Sequence, residues 1–224
     1  MADVAVDAWR VSEEVVHRSG WLVDQVLAAP RTSRLVAQAL EPGSSHAGAT
    51  FDLLEPNVAD VLGPADLLAA GLVGAPISAQ AVRHLLDPAV AGQLTARLRA
   101  VAVDADLWSA PVHDLDEAAA LWSRLQEADG IGPVRATKLL ARKRPRLVPL
   151  LDPAGVALLE LPAESHWATL RAVLADSGRR ARIEALRPVG ADDRLPLLRL
   201  LDLAVWAASA AGRSERTGTV PGPA

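Results

Sequence analysis

DGIGPVRATKLLARKRPRLVPLLD, residues 129–152, contains the most informative pattern in this chain of 224 residues. It begins with a glycine turn, Gly130-Ile131-Gly132, and Pro133 then stands at the first position of a predicted helix. Basic residues follow without an intervening acid until the carboxylate of Asp152, and they are Arg135, Lys138, Arg142, Lys143, Arg144 and Arg146. A glycine turn that leads into a helix start and is followed by cations is typical of a phosphate-binding site.

The composition predicts an all-α protein. Half of the residues are hydrophobic, and the aromatic ones are limited to six Trp and one Phe, so the core has to be built mainly from Leu, Val and Ala. Ala and Leu favour helices, and the Ile and Thr that favour strands are scarce. We expect a single globular multi-helix domain over residues 1–211. The Ser, Thr, Gly and Pro of residues 212–224 predict a disordered tail.

Several classes of site are excluded by what the sequence lacks. There is no cysteine, which rules out disulfides, thiolate metal sites and a cysteine nucleophile. The histidines do not have metal-ligand spacing, and there is no phosphate-binding loop or dinucleotide fingerprint, so we predict no metal and no cofactor. The first residues do not resemble a signal peptide, and the uncharged run 67–82 is too short to span a bilayer. These features predict a cytoplasmic protein with no membrane partner.

The formal net charge of −4 conceals a strong asymmetry along the chain. Residues 1–129 carry 8 basic and 18 acidic side chains, residues 130–151 carry 6 and 0, and residues 152–224 carry 9 and 9. A protein that coats nucleic acid over a broad face would be basic throughout. Two interpretations remain open: the basic stretch binds nucleic acid locally, or it pairs with the acidic N-terminal part.

A helix before the glycine turn completes the local pattern. Apolar residues recur at helical spacing between residues 113 and 129, and a second helix follows the turn. The backbone amides at the turn and at the start of the second helix, including Val134 and Arg135, are predicted to form an anion site. The spacing of the next cations predicts one exposed basic side. The residues expected to contact nucleic acid are Gly130, Ile131, Gly132, Val134, Arg135, Lys138, Arg142 and Lys143.

The series Leu125-(x4)-Gly130-Ile131-Gly132-(x3)-Ala136-(x2)-Leu139-Leu140 resembles the helix–hairpin–helix motif. Asp152 extends the resemblance, over about residues 113–160, to the helix–hairpin–helix DNA glycosylase superfamily. That resemblance implies double-stranded DNA as the partner and Asp152 as the catalytic residue that assists departure of a flipped base. Members that also cleave the strand have a lysine where this chain has Val134, so the resemblance implies a monofunctional hydrolase.

Other interpretations stay open at this stage. The KLLARKRPRLVP stretch also looks like an actinobacterial protein family with no assigned function. Asp152 could serve only as a helix cap, worth about 1 kcal/mol. The chain could be a non-catalytic nucleic-acid-binding module, or a helical protein-interaction domain with a structural arginine-rich helix. Asp202, in the most apolar helix, calls for a partner such as Arg199 in a structural ion pair, or could be a second acid that lines a pocket.

Overall fold

The computed structural model describes residues 9–41, 43–44, 46–191 and 195–217, with the backbone alone for residues 47, 49 and 210–217. These residues form twelve α-helices and no β-strand, so the all-α prediction is confirmed. The helices are α1 (Glu13–Ala28), α2 (Pro30–Ala39), α3 (Ala47–Phe51), α4 (Pro64–Leu72), α5 (Ala79–Leu85), α6 (Pro88–Leu98), α7 (Val112–Gln126), α8 (Pro133–Lys143), α9 (Pro153–Leu158), α10 (His166–Val173), α11 (Ser177–Glu184) and α12 (Leu197–Thr217).

Most helix starts follow local sequence rules. Side chains accept amides of the first turn at five helices, and they are Ser12, Ser78, Asp87, Asp152 and Asp176. Proline stands at the first position of α2, α4, α6, α8 and α9, where its missing N–H costs nothing. The helix boundaries are therefore largely fixed by residues next to them in the sequence.

Within the range that the sequence assigns to one helical domain, the contacts distinguish two compact units. The first unit comprises residues 1–46 and 151–224, and its helices α1, α2, α9 and α11 contact α12. Every residue from 198 to 205 is buried, as expected for a helix that is apolar on nearly every face. Arg199 and Asp202 form a buried ion pair with an Nη1–Oδ2 distance of 2.8 Å, so Arg199 is the partner among the alternatives that the sequence leaves open.

The second unit comprises residues 47–150 and contains α3 to α8. Helix α8 packs against α7 and α4, and α6 packs against α7. The apolar stripe predicted on α7 is buried, including Leu115, Leu121 and Leu125. Trp122 on the same helix donates its indole N–H to Thr137 Oγ1 of α8 at 2.9 Å, so the two helices share a polar contact beside their apolar one.

The C-terminal helix is longer than the sequence suggests. Helix α12 continues to Thr217, through the first residues of the predicted tail, and residues 218–224 of that tail lie outside the described residues. Among the residues that the structure describes, no helix is long and apolar enough to cross a membrane.

Gly155, buried in the first unit, provides a test of packing. A Cβ atom at this position would lie 2.9 Å from Val205 Cγ1 and 3.2 Å from Leu151 Cδ2. We expect Gly155→Ala to lower the free energy of unfolding by about 1–3 kcal/mol because the added methyl group overpacks this contact. Urea denaturation measures the effect, and the cost should be smaller in a Val205→Ala background. Gly92→Ala in α6 is the control, since nothing lies within 4 Å of a Cβ atom there. A Gly155→Ala protein as stable as its parent would contradict this packing.

Candidate nucleic-acid interface

The turn between α7 and α8 has the backbone geometry that its glycines predict, but only one of them requires glycine. Gly130 has a φ of +83°, in the left-handed region that disfavours other residues. Gly132 has a φ of −85°, which any residue adopts. Ile131 is buried, and its N–H donates to the Ala128 carbonyl at 2.9 Å. The glycine needed for the turn is therefore Gly130, and the role of Gly132 must lie elsewhere.

The start of α8 lacks a capping side chain. Its N-cap is Gly132, and no side chain accepts the amides of its first turn, a start without an N-cap side chain that α2, α4, α7 and α10 share. A Cβ atom on Gly132 would meet nothing within 4 Å, and Val134 is 41% exposed. The first-turn amides of Val134 and Arg135 thus have no capping side chain and lie at the positive end of a helix dipole, the arrangement that binds anions in many proteins.

The segment before α5 borders the turn. Arg135 is half-buried, and its Nε donates to the Pro76 carbonyl at 2.7 Å. Ser78 Oγ lies 3.0 Å from the position of a Cβ atom on Gly130, and Gln80 donates to Asp129 at 3.0 Å. These contacts fix the turn, and they place one cation and one carboxylate beside it.

The predicted basic side of α8 is not on the surface. Lys138, Arg142 and Lys143 are only 4%, 1% and 2% exposed, so the prediction that they form an exposed nucleic-acid-binding side is wrong. Every residue from 136 to 144 is buried. The physical reason is that α8 packs against α7 and α4, and its long side chains find acceptors in the interior of the unit.

One buried carboxylate binds two of these cations. Asp66 Oδ1 lies 2.7 Å from Arg142 Nε and 2.6 Å from Lys143 Nζ. Asp66 Oδ2 also accepts the Gly63 amide at 2.7 Å, so this carboxylate caps α4 as well. Burial lowers the pKa of the Lys143 ammonium below its usual value, and the adjacent Asp66 carboxylate opposes that shift.

Carbonyl groups of the segment between α3 and α4 accept most of the remaining donors. Arg142 donates to the carbonyls of Phe51 and Leu54, and Lys143 donates to Asn57 Oδ1 at 3.0 Å and to the Val58 carbonyl at 3.1 Å. The cations of α8 therefore hold the segment 51–58 by its backbone.

The next arginine extends this network. Arg144 is fully buried, and it donates to the carbonyls of Val101 at 2.9 Å and Ala59 at 2.8 Å and to Asp60 Oδ1 at 2.7 Å. Arg146 forms an exposed bidentate pair with Asp106. The pairing of the basic stretch with acids of the N-terminal part, which the alternative interpretation predicts, is thus present in this unit.

The burial of these cations leaves the surface of the second unit acidic. Residues 47–150 contain 12 acidic and 10 basic side chains. Four of the basic ones are buried (Lys138, Arg142, Lys143 and Arg144), against two of the acidic ones (Asp66 and Asp114). The exterior accordingly carries ten acids and six cations. Any contact with a polyanion here has to be local.

Asp152 lies at the start of α9, where the sequence places it. The side chain is exposed, and its Oδ1 accepts the Gly155 amide at 2.7 Å. This is the geometry of a helix cap, and it leaves the carboxylate accessible to solvent. Asp152 belongs to the first unit, and the glycine turn belongs to the second.

The acids that receive the buried cations were not identified as site residues from the sequence. Asp66 is the only polar side chain in the helix PADLLAAGL, and a lone carboxylate in an apolar helix is a signal of buried pairing. The sequence does not reveal its partners, because Arg142 lies 76 positions away.

Two further observations concern the described residues outside this site. No group of three or more His, Asp and Glu side chains among them is arranged to hold a metal ion. A groove of about 580 Å³ between α6 and α7 is lined by Gln93, Ala96, Arg97, Ala100, Glu117, Arg124 and Glu127, none of which the sequence had marked as a site residue.

Comparison with known protein families finds a match over most of the chain. A model described as a family of unknown function (DUF6308) matches residues 28–209, which include the turn, the buried cations and Asp152. No curated protein and no solved structure matches the chain.

The buried pairs of Asp66 predict a large stability effect. We expect Asp66→Ala to lower the free energy of unfolding by about 3–5 kcal/mol, because Arg142 and Lys143 would be left buried without their countercharge. Glu127→Ala is the matched control: Glu127 pairs with Arg124 on the surface, and its loss should cost less than about 1 kcal/mol. Chemical denaturation of both variants measures the difference. Equal costs would show that the Asp66 pairs do not stabilise the unit.

Proposed function

This chain belongs to the DUF6308 family of unknown function, and we propose that it binds the phosphate backbone of DNA locally, through the turn between α7 and α8. The observation that carries the proposal is the uncapped start of α8, where nothing lies within 4 Å of a Cβ position on Gly132. Phosphate oxygens are acceptors of the kind that such amides bind. The resemblance of this turn to the helix–hairpin–helix motif supports DNA as the source of the phosphate.

A capping residue would be expected here if the turn were only a connection between helices. Ser, Thr, Asp or Asn at the N-cap stabilises a helix by about 1 kcal/mol relative to a residue that cannot cap. Five other helices of this chain have such a cap, and α2, α4, α7 and α10 start without a side-chain cap at the N-cap, as α8 does. A glycine at the N-cap of α8 gives up that side-chain contact and keeps the amides accessible, as a ligand-binding turn requires.

The footprint of this contact is small. Lys138 and Arg142 are buried and cannot reach a phosphate at the surface. Arg135, which contacts the Pro76 carbonyl, is the cation that lies beside the turn. A protein that neutralises few phosphates releases few counterions, and its affinity then falls only slightly with salt. We therefore expect weak binding with a logarithmic salt dependence corresponding to about one or two phosphates.

A Gly132→Val variant tests the binding site. Because Gly132 has an ordinary φ and open space around its Cβ position, we expect the variant to fold like the parent and to bind a labelled DNA duplex at least about tenfold more weakly, since the side chain blocks phosphate approach. Fluorescence anisotropy measures binding and thermal melting checks folding. Gly92→Val, at an exposed and open position of α6, is the matched control. Unchanged affinity in a folded Gly132→Val protein would show that the turn is only a helix junction.

A helical protein-interaction domain is the second candidate. The observation that favours it is the acidic exterior of the second unit, together with the burial of Arg142, Lys143 and Arg144 as structural cations. An acidic surface repels DNA. Absence of DNA retention by the parent at low salt would support this candidate and refute the first.

We propose further that the protein is an enzyme and that Asp152 is its catalytic carboxylate. A carboxylate that stabilises a cationic sugar has to be ionised and accessible, and Asp152 is exposed. The resemblance to DNA glycosylases supplies the reaction, hydrolytic release of a base from a flipped nucleotide. The contact with Gly155 supports the competing role of a cap.

Asp152→Asn separates the two roles. Asn caps a helix about as well as Asp, so we expect the variant to melt within a few degrees of the parent and to bind DNA equally well. It should release no base from a panel of damaged duplexes, because the negative charge is gone. Asp87→Asn, at the N-cap of α6, is the matched control and should keep full activity. A parent that releases no base from any duplex, or an Asp152→Asn protein with full activity, would rule out Asp152 as a catalytic residue.

A further inference from the structure

Two hydrogen bonds show that α6 and α7 lie side by side in opposite directions. Arg124 Nη2 on α7 donates to Gln93 Oε1 on α6 at 3.0 Å. The amide of Ala102, just after α6, donates to Asp114 Oδ1 in the first turn of α7 at 3.2 Å. Between these two contacts the residue numbers rise along α6 and fall along α7, so the two helices are antiparallel.

The groove of about 580 Å³ between these helices is lined by small and charged side chains. Ala96 and Ala100 are its small residues, and they leave room for a bound molecule. A volume of this size lies within the range of about 300–1,000 Å³ that is usual for ligand sites. The two helices are held together by buried leucines that line one small space between them, and these are Leu94, Leu98, Leu121 and Leu125.

The four charged side chains of the groove differ in their pairing. Arg124 binds Glu127 and Gln93, so its charge is used within the protein. Arg97 and Glu117 have opposite charges, and neither has a hydrogen-bond or ion-pair partner among the residues that the structure describes. Opposite charges that line one groove without pairing are held apart, and both remain available to a ligand.

The antiparallel packing gives the spacing between these two charges. Counted from the Gln93–Arg124 contact, Arg97 lies opposite Ala120, and Glu117 is one helical turn farther along α7, about 4.5 Å. Packed helices lie about 8–10 Å apart. The backbone positions that carry the two charges are therefore on the order of 10 Å apart, which an extended peptide of about three residues spans.

We propose that the groove between α6 and α7 binds a short peptide with free ends, about three residues long. Its carboxylate pairs with Arg97, because a guanidinium group binds a carboxylate through two parallel hydrogen bonds. Its ammonium group pairs with Glu117. This site is separate from the DNA contact at the α7–α8 turn, and the inference does not depend on that contact.

The unpaired charges favour a zwitterion over a ligand with a single charge. An anion at Arg97 would leave Glu117 in the same groove as a like charge, and a cation at Glu117 would leave Arg97 so. A ligand with one charge of each sign complements both groups at once.

Trialanine, its N-acetyl derivative and its C-terminal amide test this chemistry. The acetyl group removes the ammonium charge, and the amide removes the carboxylate charge. Isothermal titration calorimetry with the full chain, at about pH 6.5 where the free amino group is protonated, measures the three affinities. We expect trialanine to bind, and both blocked peptides to bind at least about tenfold more weakly, because each leaves one charge of the groove unpaired.

Two single variants assign each charge to its end of the peptide. Arg97→Gln should bind trialanine and its amide alike, whereas Glu117→Gln should bind trialanine and its N-acetyl derivative alike. Arg97 is exposed and Glu117 is half-buried, so both variants should fold. Thermal melting checks this, since Arg97 also lies in the last turn of α6, where a cation favours the helix dipole. Arg99→Gln, at an exposed position that does not line the groove, is the matched control and should keep the parent's preferences.

Three results would overturn the proposal. They are no binding of trialanine by the parent at millimolar concentration, equal binding of all three peptides, and a folded Arg97→Gln protein that still prefers the free carboxylate. Tighter binding of the N-acetyl peptide than of trialanine would show a site for a simple anion, and tighter binding of the amide would show a site for a simple cation. Either result would refute a site for a zwitterionic peptide.

Discussion

The carboxylate of Asp66 and the two cations that bind it, Arg142 and Lys143, are the interaction on which the second unit depends. A buried charge is tolerated in a helical core only when it is paired and hydrogen-bonded, and here one carboxylate serves two cations and the start of α4. These contacts join the last helix of the unit to residues more than seventy positions earlier. Without the carboxylate, Arg142 and Lys143 would be buried cations without a countercharge.

The same cations organise the backbone around them. Arg142, Lys143 and Arg144 donate mainly to carbonyl groups, which lie in the segment after α3 and at the end of α6. An irregular segment normally turns its carbonyls to water, and here buried guanidinium and ammonium groups replace that water. The carbonyls of the segment before α4 are therefore satisfied from inside, while Leu53, Val58 and Val61 are exposed.

The buried network also changes the meaning of the basic stretch. As a pattern in the sequence, six cations after a glycine turn indicate a polyanion-binding helix. In the structure, four of the six lie in the interior, and the feature that still favours a phosphate is the uncapped start of α8. Binding through backbone amides at one turn differs from binding over a charged face, because it involves few phosphates and releases few counterions. A small footprint is compatible with the acidic exterior of this unit.

The sequence by itself predicted most of the helices, several of their caps and the glycine turn, and it named Arg199 as one candidate partner of Asp202. Each of these depends on residues within a few positions of one another, through φ preferences, hydrogen bonds to the first turn and the period of the helix. It could not determine which face of α8 is covered, because the covering groups, Asp66 and the carbonyls of segment 51–60, come from distant parts of the chain. A cation has the same local pattern whether it faces water or a buried carboxylate. Only the tertiary structure decided that Lys138, Arg142 and Lys143 are buried. It also decided that the apolar residues Leu68 and Leu72 of α4 are exposed.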